Sequence, residues 1–123
     1  MTSGQVTAQL RPTIELTLEG EAGRPRTVEV TVDTGYNGEI LLPPDIIQSL
    51  ALASAGESPA VLADGTIVLL PMYEGHVRWR GNLRRTTIDG ADSDPLVGMA
   101  FLKGHRLTVE CVPSGIVIIE PIP

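Results

Sequence analysis

Val28, Val30 and Val32 alternate along the chain with Thr27, Glu29 and Thr31. A period of two puts one set on each face of a β-strand. The same alternation runs through Ile14, Leu16 and Leu18. GEAGRP between these segments supplies a turn, and the pair reads as a hairpin. EILLP, from Glu39, is a short apolar strand. In PPDIIQSLAL the period changes: Ile46, Ile47 and Leu50 share a helical face, and Pro44 suits a first turn. The small, polar stretch ASAGESP leads into AVLADGTIVLLPMYEGHVRW, where Asp64-Gly65 signals a tight turn between two strands. RGN at 80–82 marks another turn, followed by the strand LRRTTI and the loop ADSDP. PLVGMAFLKG reads as a strand end entering a short helix, with Gly104 as its C-cap. HRLTVEC and GIVIIE form a last hairpin around Pro113-Ser114-Gly115. With no repeat, low-complexity run or long linker, the expectation is a single, mostly β domain over residues 1–123.

Composition narrows this picture. The 123 residues are 42% hydrophobic, enough for one packed core. One tryptophan, two tyrosines and one phenylalanine leave that core to aliphatic side chains. A formal net charge of -6 argues against nucleic acid or an anionic membrane surface as the main partner. MTSGQVTAQLRP lacks the apolar run of a signal sequence and no segment has the composition of a bilayer span, so a cytoplasmic protein is expected. Cys111 is the single cysteine, which excludes an internal disulfide. It continues the alternation of Leu107 and Val109 and is expected in the core.

Two places could carry chemistry. Asp33-Thr34-Gly35 closes an apolar strand. It reads either as an Asx-type turn or as a carboxylate held out for reaction. Leu96-Val97-Gly98 reads, alone, as a tight strand-to-helix junction. Other residues offer less. His76 and His105 sit in polar strand contexts without HExxH or CxxC, so they read as surface histidines, and no metal or other cofactor is expected. No serine occupies a G-x-S-x-G elbow. Asp64 before Gly65 reads as a turn former, and Arg84-Arg85 as a solvated strand edge. Asp89, Asp92 and Asp94 make an acidic loop without the EF-hand pattern.

The order of these elements is strand, DTG, short strand, short helix, Asp-Gly hairpin, strands, apolar-apolar-Gly, short helix and final hairpin. It resembles the retropepsin-like aspartic proteases, the single-domain relatives of pepsin, from about Thr13 to Glu120. VTVDTG and PLVGMAFL carry the likeness most sharply. Tyr36 and Gly38 after DTG are similar to the bacterial branch. Many viral members have alanine at the first of these positions, a glycine-rich flap tip where this chain has Ala63-Asp64-Gly65-Thr66, and often arginine where it has Met99.

The resemblance implies an all-β acid-protease barrel with one or two short helices, a ψ-loop and a flap hairpin. It implies an endopeptidase acting on a peptide or protein substrate, with Asp33 catalytic. Such hydrolysis needs one carboxylate to take a proton from water and a second, protonated, to donate to the carbonyl oxygen. Two carboxylates about 3 Å apart share one proton, as aspartic-protease dyads in general do. One DTG per chain then requires a C2 homodimer with Asp33 meeting its symmetry mate on the axis. Thr34 is implied to hydrogen-bond across that dimer and Gly35 to orient Asp33, while Leu96, Val97 and Gly98 buttress the loop. Ala63, Asp64, Gly65 and Thr66 would form the flap tip, with Val61 and Ile67 contacting an extended peptide. Two alternatives stay open. One is the same fold kept as a dimerisation or peptide-binding module with little or no turnover, the other a plain β domain with a chance triplet.

Overall fold

The computed structural model describes residues 1–20, 24–62 and 64–123. Residues 21–23, in the expected GEAGRP turn, and Ala63, at the expected flap tip, lie outside the described residues. Strands β1 (Thr2–Val6), β2 (Pro12–Glu19) and β3 (Arg26–Val32) pair antiparallel in succession. The alternation of β2 and β3 works as the sequence implies. Ile14 lies opposite Val30 and Leu16 opposite Val28, and all four are buried.

Strand β4 (Ile40–Leu42) is buried throughout, and helix α1 (Pro44–Leu50) follows it. The helix turns Ile46, Ile47 and Leu50 into the core and starts on Pro44, whose missing N–H costs nothing in a first turn. Strands β5 (Ala53–Val61) and β6 (Ile67–Trp79) form the long hairpin, and β7 (Asn82–Gly90) returns along β6. Strand β8 (Leu96–Val97) enters the single-turn helix α2 (Met99–Leu102). This helix is capped by Lys103, and Gly104, with φ +82°, makes the turn beyond it. Strands β9 (His105–Val109) and β10 (Ile116–Pro121) are the final hairpin.

All ten strands belong to one sheet, in the order β5-β6-β7-β4-β8-β3-β2-β1-β10-β9. A further pairing, Leu18 with Val77 and Glu19 with His76, joins β2 to β6. It closes β2, β3, β8, β4, β7 and β6 into a barrel. Apart from Phe101 and Trp79, its core is aliphatic, as composition requires. Those two rings meet edge-to-face at a centroid separation of 4.9 Å. Among the described residues no helix is long and apolar enough to cross a membrane.

Several sequence expectations need correction. Residues 2–6 carry no strand pattern, yet β1 lies inside the sheet between β2 and β10, with only Val6 buried. Residues 53–59 are already strand, with a bulge between Ser54 and Gly56. Cys111 is exposed because β9 ends at Val109, before the alternation reaches it. His105 is only partly exposed: its Nε2 lies 3.4 Å from the Trp79 indole N–H and its Nδ1 3.1 Å from the Lys103 carbonyl oxygen. Asp89, Asp92 and Asp94 are not one loop. Asp89 lies within β7, whereas Asp94 pairs with Arg11 at 2.7 Å. No group of three metal-binding side chains forms among the described residues.

Arg84 is the largest departure from its expected surface role. Its guanidinium lies 4.1 Å from the Phe101 ring centroid and donates to the Phe101 carbonyl at 3.1 Å. Glu39 stands 3.9 Å from its other side. Arg84 thus pins α2 onto β7, whereas its neighbour Arg85 is exposed and pairs with Glu74.

Candidate active site

Residues 33–39 join β3 to β4, but these strands do not pair; β8 lies between them. It runs parallel to β3, with Thr31 opposite Leu96 and Val32 opposite Val97. It runs antiparallel to β4, with Ile40 opposite Val97. A loop joining two strands with a third threaded between them is a ψ-loop. The barrel interior drives this arrangement, because Val32, Ile40 and Val97 are all buried there. The backbone polar groups of the loop are met by the threaded segment. Asp33 donates its amide to the Val97 carbonyl at 2.9 Å. Gly98 donates to Glu39, and Met99 to the Tyr36 carbonyl at 2.8 Å.

This anchoring leaves the Asp33 side chain half-buried at the loop tip. Its Oδ1 accepts the Gly35 amide at 2.8 Å, which fixes the direction of the carboxylate. A Cβ on Gly35 would stand 3.2 Å from that oxygen, tighter than ordinary van der Waals contact. Thr34 and Gly35 themselves are exposed in the protomer. Leu96 is half-buried, Val97 fully buried, and Gly98 lies against the loop backbone. The structure therefore brings Asp33, Thr34, Gly35, Leu96, Val97 and Gly98 together.

Sequence reasoning missed what lies behind the loop. The Tyr36 hydroxyl donates to Asp89 Oδ2 at 2.6 Å, with the Ile40 carbonyl oxygen 3.1 Å away. Burial above all, then the bond to Asp89 and the negative charges of Asp89 and Glu39, push the phenol well above its usual range. It is thereby fixed as a donor and Asp89 as an acceptor. Glu39 accepts the Thr86 hydroxyl at 2.8 Å and faces Arg84. The visible signal was the aromatic after DTG. Its partner Asp89 could not be picked out, because it stood in what read as a loop with two other aspartates.

β5 and β6 form the hairpin expected around Asp64-Gly65. Its turn is tied by the Leu62 amide on the Thr66 carbonyl at 2.8 Å and the Gly65 amide on the Leu62 carbonyl at 2.9 Å. Asp64 accepts the Thr66 amide at 2.9 Å, and these bonds from Thr66 hold its carboxyl below the usual range. Gly65 takes φ +85°, which glycine accepts without strain. This is a turn role for Asp64, as its sequence context implies. Along β6, Ile67, Leu69 and Pro71 share a face with Tyr73, Gly75 and Val77. The last two are buried in the barrel, but Ile67 is 67% and Leu69 61% exposed. Val61, paired with Ile67, is 72% exposed. The apolar face of the barrel thus continues outward, uncovered, along the hairpin. Between β5 and the Asp33 loop lies a cleft of about 300 Å³, lined by Tyr36, Gly38, Ser58, Ala60, Val61 and Asp89 among others.

Two solved structures share this architecture. EIAV protease complexed with the inhibitor HBY-793 matches with a TM-score of 0.61 and 18% identity, covering 78% of this chain and 88% of that one. A retropepsin-like aspartic protease from Rickettsia conorii matches with a TM-score of 0.54 and 16% identity, covering 97% of this chain and 91% of that one. No protein-family profile and no curated protein matches the chain. The fold is therefore that of the retropepsins, all-β with two short helices, as the sequence resemblance implies.

Proposed function

We propose that the protein is an aspartic endopeptidase that works as a C2 homodimer, each protomer being one domain over residues 1–123. The observation that carries this reading is the Asp33 carboxylate, oriented by the Gly35 amide at 2.8 Å at the tip of a ψ-loop in a retropepsin fold. A single carboxylate cannot serve as acid and base at once, so the reading places two Asp33 side chains together on the two-fold axis. There they share one proton and titrate as a unit. The ionised member takes a proton from water as the water attacks the peptide carbonyl. The protonated member donates to the carbonyl oxygen. The exposure of Thr34 and Gly35 in the protomer supports a partner copy at this edge of the loop. In this reading Thr34 bridges the two loops, and Leu96, Val97 and Gly98 hold each loop from behind.

The substrate is an extended peptide, bound as an added strand beneath the flap. The uncovered apolar residues Val61, Ile67 and Leu69 support this, since they continue the barrel's apolar face along the hairpin whose Val61 lines the cleft. No metal or other cofactor takes part. The single cysteine suits a reducing compartment, and the cytoplasm is the proposed location.

The test is a peptide-library digest of wild type and Asp33→Asn across about pH 4 to 7.5, read by mass spectrometry, with dimerisation measured on the same samples. Wild type should cleave best on the acid side of neutrality, where the dyad keeps its proton. Asp33→Asn should dimerise and cleave nothing. Cleavage that survives in the variant would assign the chemistry elsewhere. A sound dimer with no cleavage at any pH would leave a peptide-binding module.

A further inference from the structure

We infer that Asp89 selects a positively charged side chain at one position of the bound peptide, an inference that rests on the endopeptidase reading of the neighbouring loop. Asp89 lies in β7 and lines the cleft between the Asp33 loop and flap strand β5. The rest of that lining is backbone and uncharged: Gly35, Tyr36, Asn37 and Gly38 on one side, Ser58 to Val61 on the other. Among the described residues that line the cleft, Asp89 is the only charged one.

Its carboxylate is positioned but not neutralised. Oδ2 accepts the Tyr36 hydroxyl at 2.6 Å, which fixes the group against the loop. The other oxygen accepts no hydrogen bond among the described residues, and no lysine or arginine there lies within ion-pair distance. The contrast with Glu39 is informative. Glu39 lies close enough to act on the same phenol, yet it is occupied by Thr86 and Arg84. Of these two carboxylates beside Tyr36, Asp89 is the one left with a free oxygen and no cationic partner among the described residues.

A carboxylate in this setting discriminates by sign. A lysine or arginine side chain can lay its methylenes along Ala60 and Val61 and reach the free oxygen with its charged end. An acidic residue there meets a like charge in a partly desolvated cleft and is rejected. A neutral residue leaves the carboxylate hydrated and gains only its apolar contact. The substrate class is thus a peptide with a basic residue at the position under β5.

The experiment takes one cleaved peptide and replaces each position in turn by arginine, norleucine or glutamate. Values of kcat/KM are measured with wild type and Asp89→Asn, and Kd with Asp33→Asn alone and combined with Asp89→Asn. The asparagine still accepts from Tyr36, and melting curves check the fold. One position should favour arginine over norleucine by about tenfold. The ratio should approach unity in Asp89→Asn and fall in wild type as salt is raised. No position with a basic preference, a preference that survives in Asp89→Asn, or one indifferent to salt would each overturn the inference. If wild type cleaves no peptide, the Kd arm is run on an unselected peptide set. A basic preference abolished by Asp89→Asn would then uphold the role of Asp89 while rejecting the endopeptidase. Absence of binding by every peptide would reject both.

Discussion

The Tyr36 ring lies so close over Gly98 that a side chain there has no room: a Cβ on Gly98 would stand 2.5 Å from ring carbon Cδ2 and 2.5 Å from the Tyr36 carbonyl oxygen. The backbone conformation is ordinary, with φ -113°, so it is space and not strain that requires glycine. Gly98→Ala should therefore push the threaded strand away from the Asp33 loop, at a cost of about 1–3 kcal/mol. The check is a chemical denaturation midpoint alongside peptide cleavage, and cleavage should fall further than stability. An unchanged midpoint would mean that the loop gives way freely.

Tyr36→Phe keeps the ring and removes the donor to Asp89. The expected cost is about 1–3 kcal/mol, because a partly buried carboxylate loses its fixed partner. The pH dependence has a definite sign. The phenol is raised in the folded protein, so the fold holds this proton more tightly than the unfolded chain does. Its contribution is complete below about pH 10 and is lost as pH rises beyond that, where the unfolded tyrosine ionises. Wild type should therefore lose stability above about pH 10 more steeply than Tyr36→Phe. Denaturation series at about pH 8 and 11 decide it, and parallel losses would remove Tyr36 as the source.

Arg84→Ala should destabilise by about 1–3 kcal/mol. It removes the contact with the Phe101 ring and the hydrogen bond to the Phe101 carbonyl. Arg84→Lys should restore only part of this, since an ammonium cannot stack on the ring and bond the carbonyl in the same planar manner. A midpoint for Arg84→Ala within error of wild type would return the residue to the solvated edge that its sequence context suggests.

On the dimer reading, Thr34→Ala should weaken self-association by about 1–3 kcal/mol by leaving partners on the other protomer unmet. Lys103→Ala, at an exposed position past α2, serves as control. Sedimentation equilibrium gives both constants. Equal values would show that Thr34 does not bridge the protomers.

Ile67→Ser should leave stability within about 0.5 kcal/mol, because the side chain is 67% exposed. Peptide binding should nevertheless weaken, through lost apolar contact beneath the flap. Binding to the serine variant as tight as to wild type would take Ile67 out of the substrate surface.

What could be read in the sequence follows from what drives each element. β2 and β3 were plain because one face is buried, so their side chains had to alternate. The β5–β6 turn showed in Asp64-Gly65, whose carboxylate caps the Thr66 amide. α1 showed in its three core-facing residues and its proline. β1 stayed hidden because its stability comes from backbone pairing on both edges, and only Val6 marks a buried face. β8, two residues long and too short for any period, is legible only as the strand end before Gly98 and the short helix. At the candidate site, Asp33, Thr34 and Gly35 are contiguous and could be read as a motif. Tyr36 with Asp89, and Arg84 with Phe101, are meetings of distant segments. Their residue types also serve well on a surface, so only the fold sets them apart.

The pairing of Thr2 with Ile119 has a consequence for how the chain is made. β1 leaves the ribosome long before β10 has been translated, so one of its two edges must wait with its amides and carbonyls hydrated. A contact spanning so much of the chain pays its loop-closure cost before it gains anything, which places it late in assembly. Until then Gly4 and its neighbours present an open strand edge, the kind of surface that pairs with other chains. The β2–β3 hairpin, by contrast, is local and can form early, so the β10-facing edge of β1 is among the last surfaces of the fold to be covered.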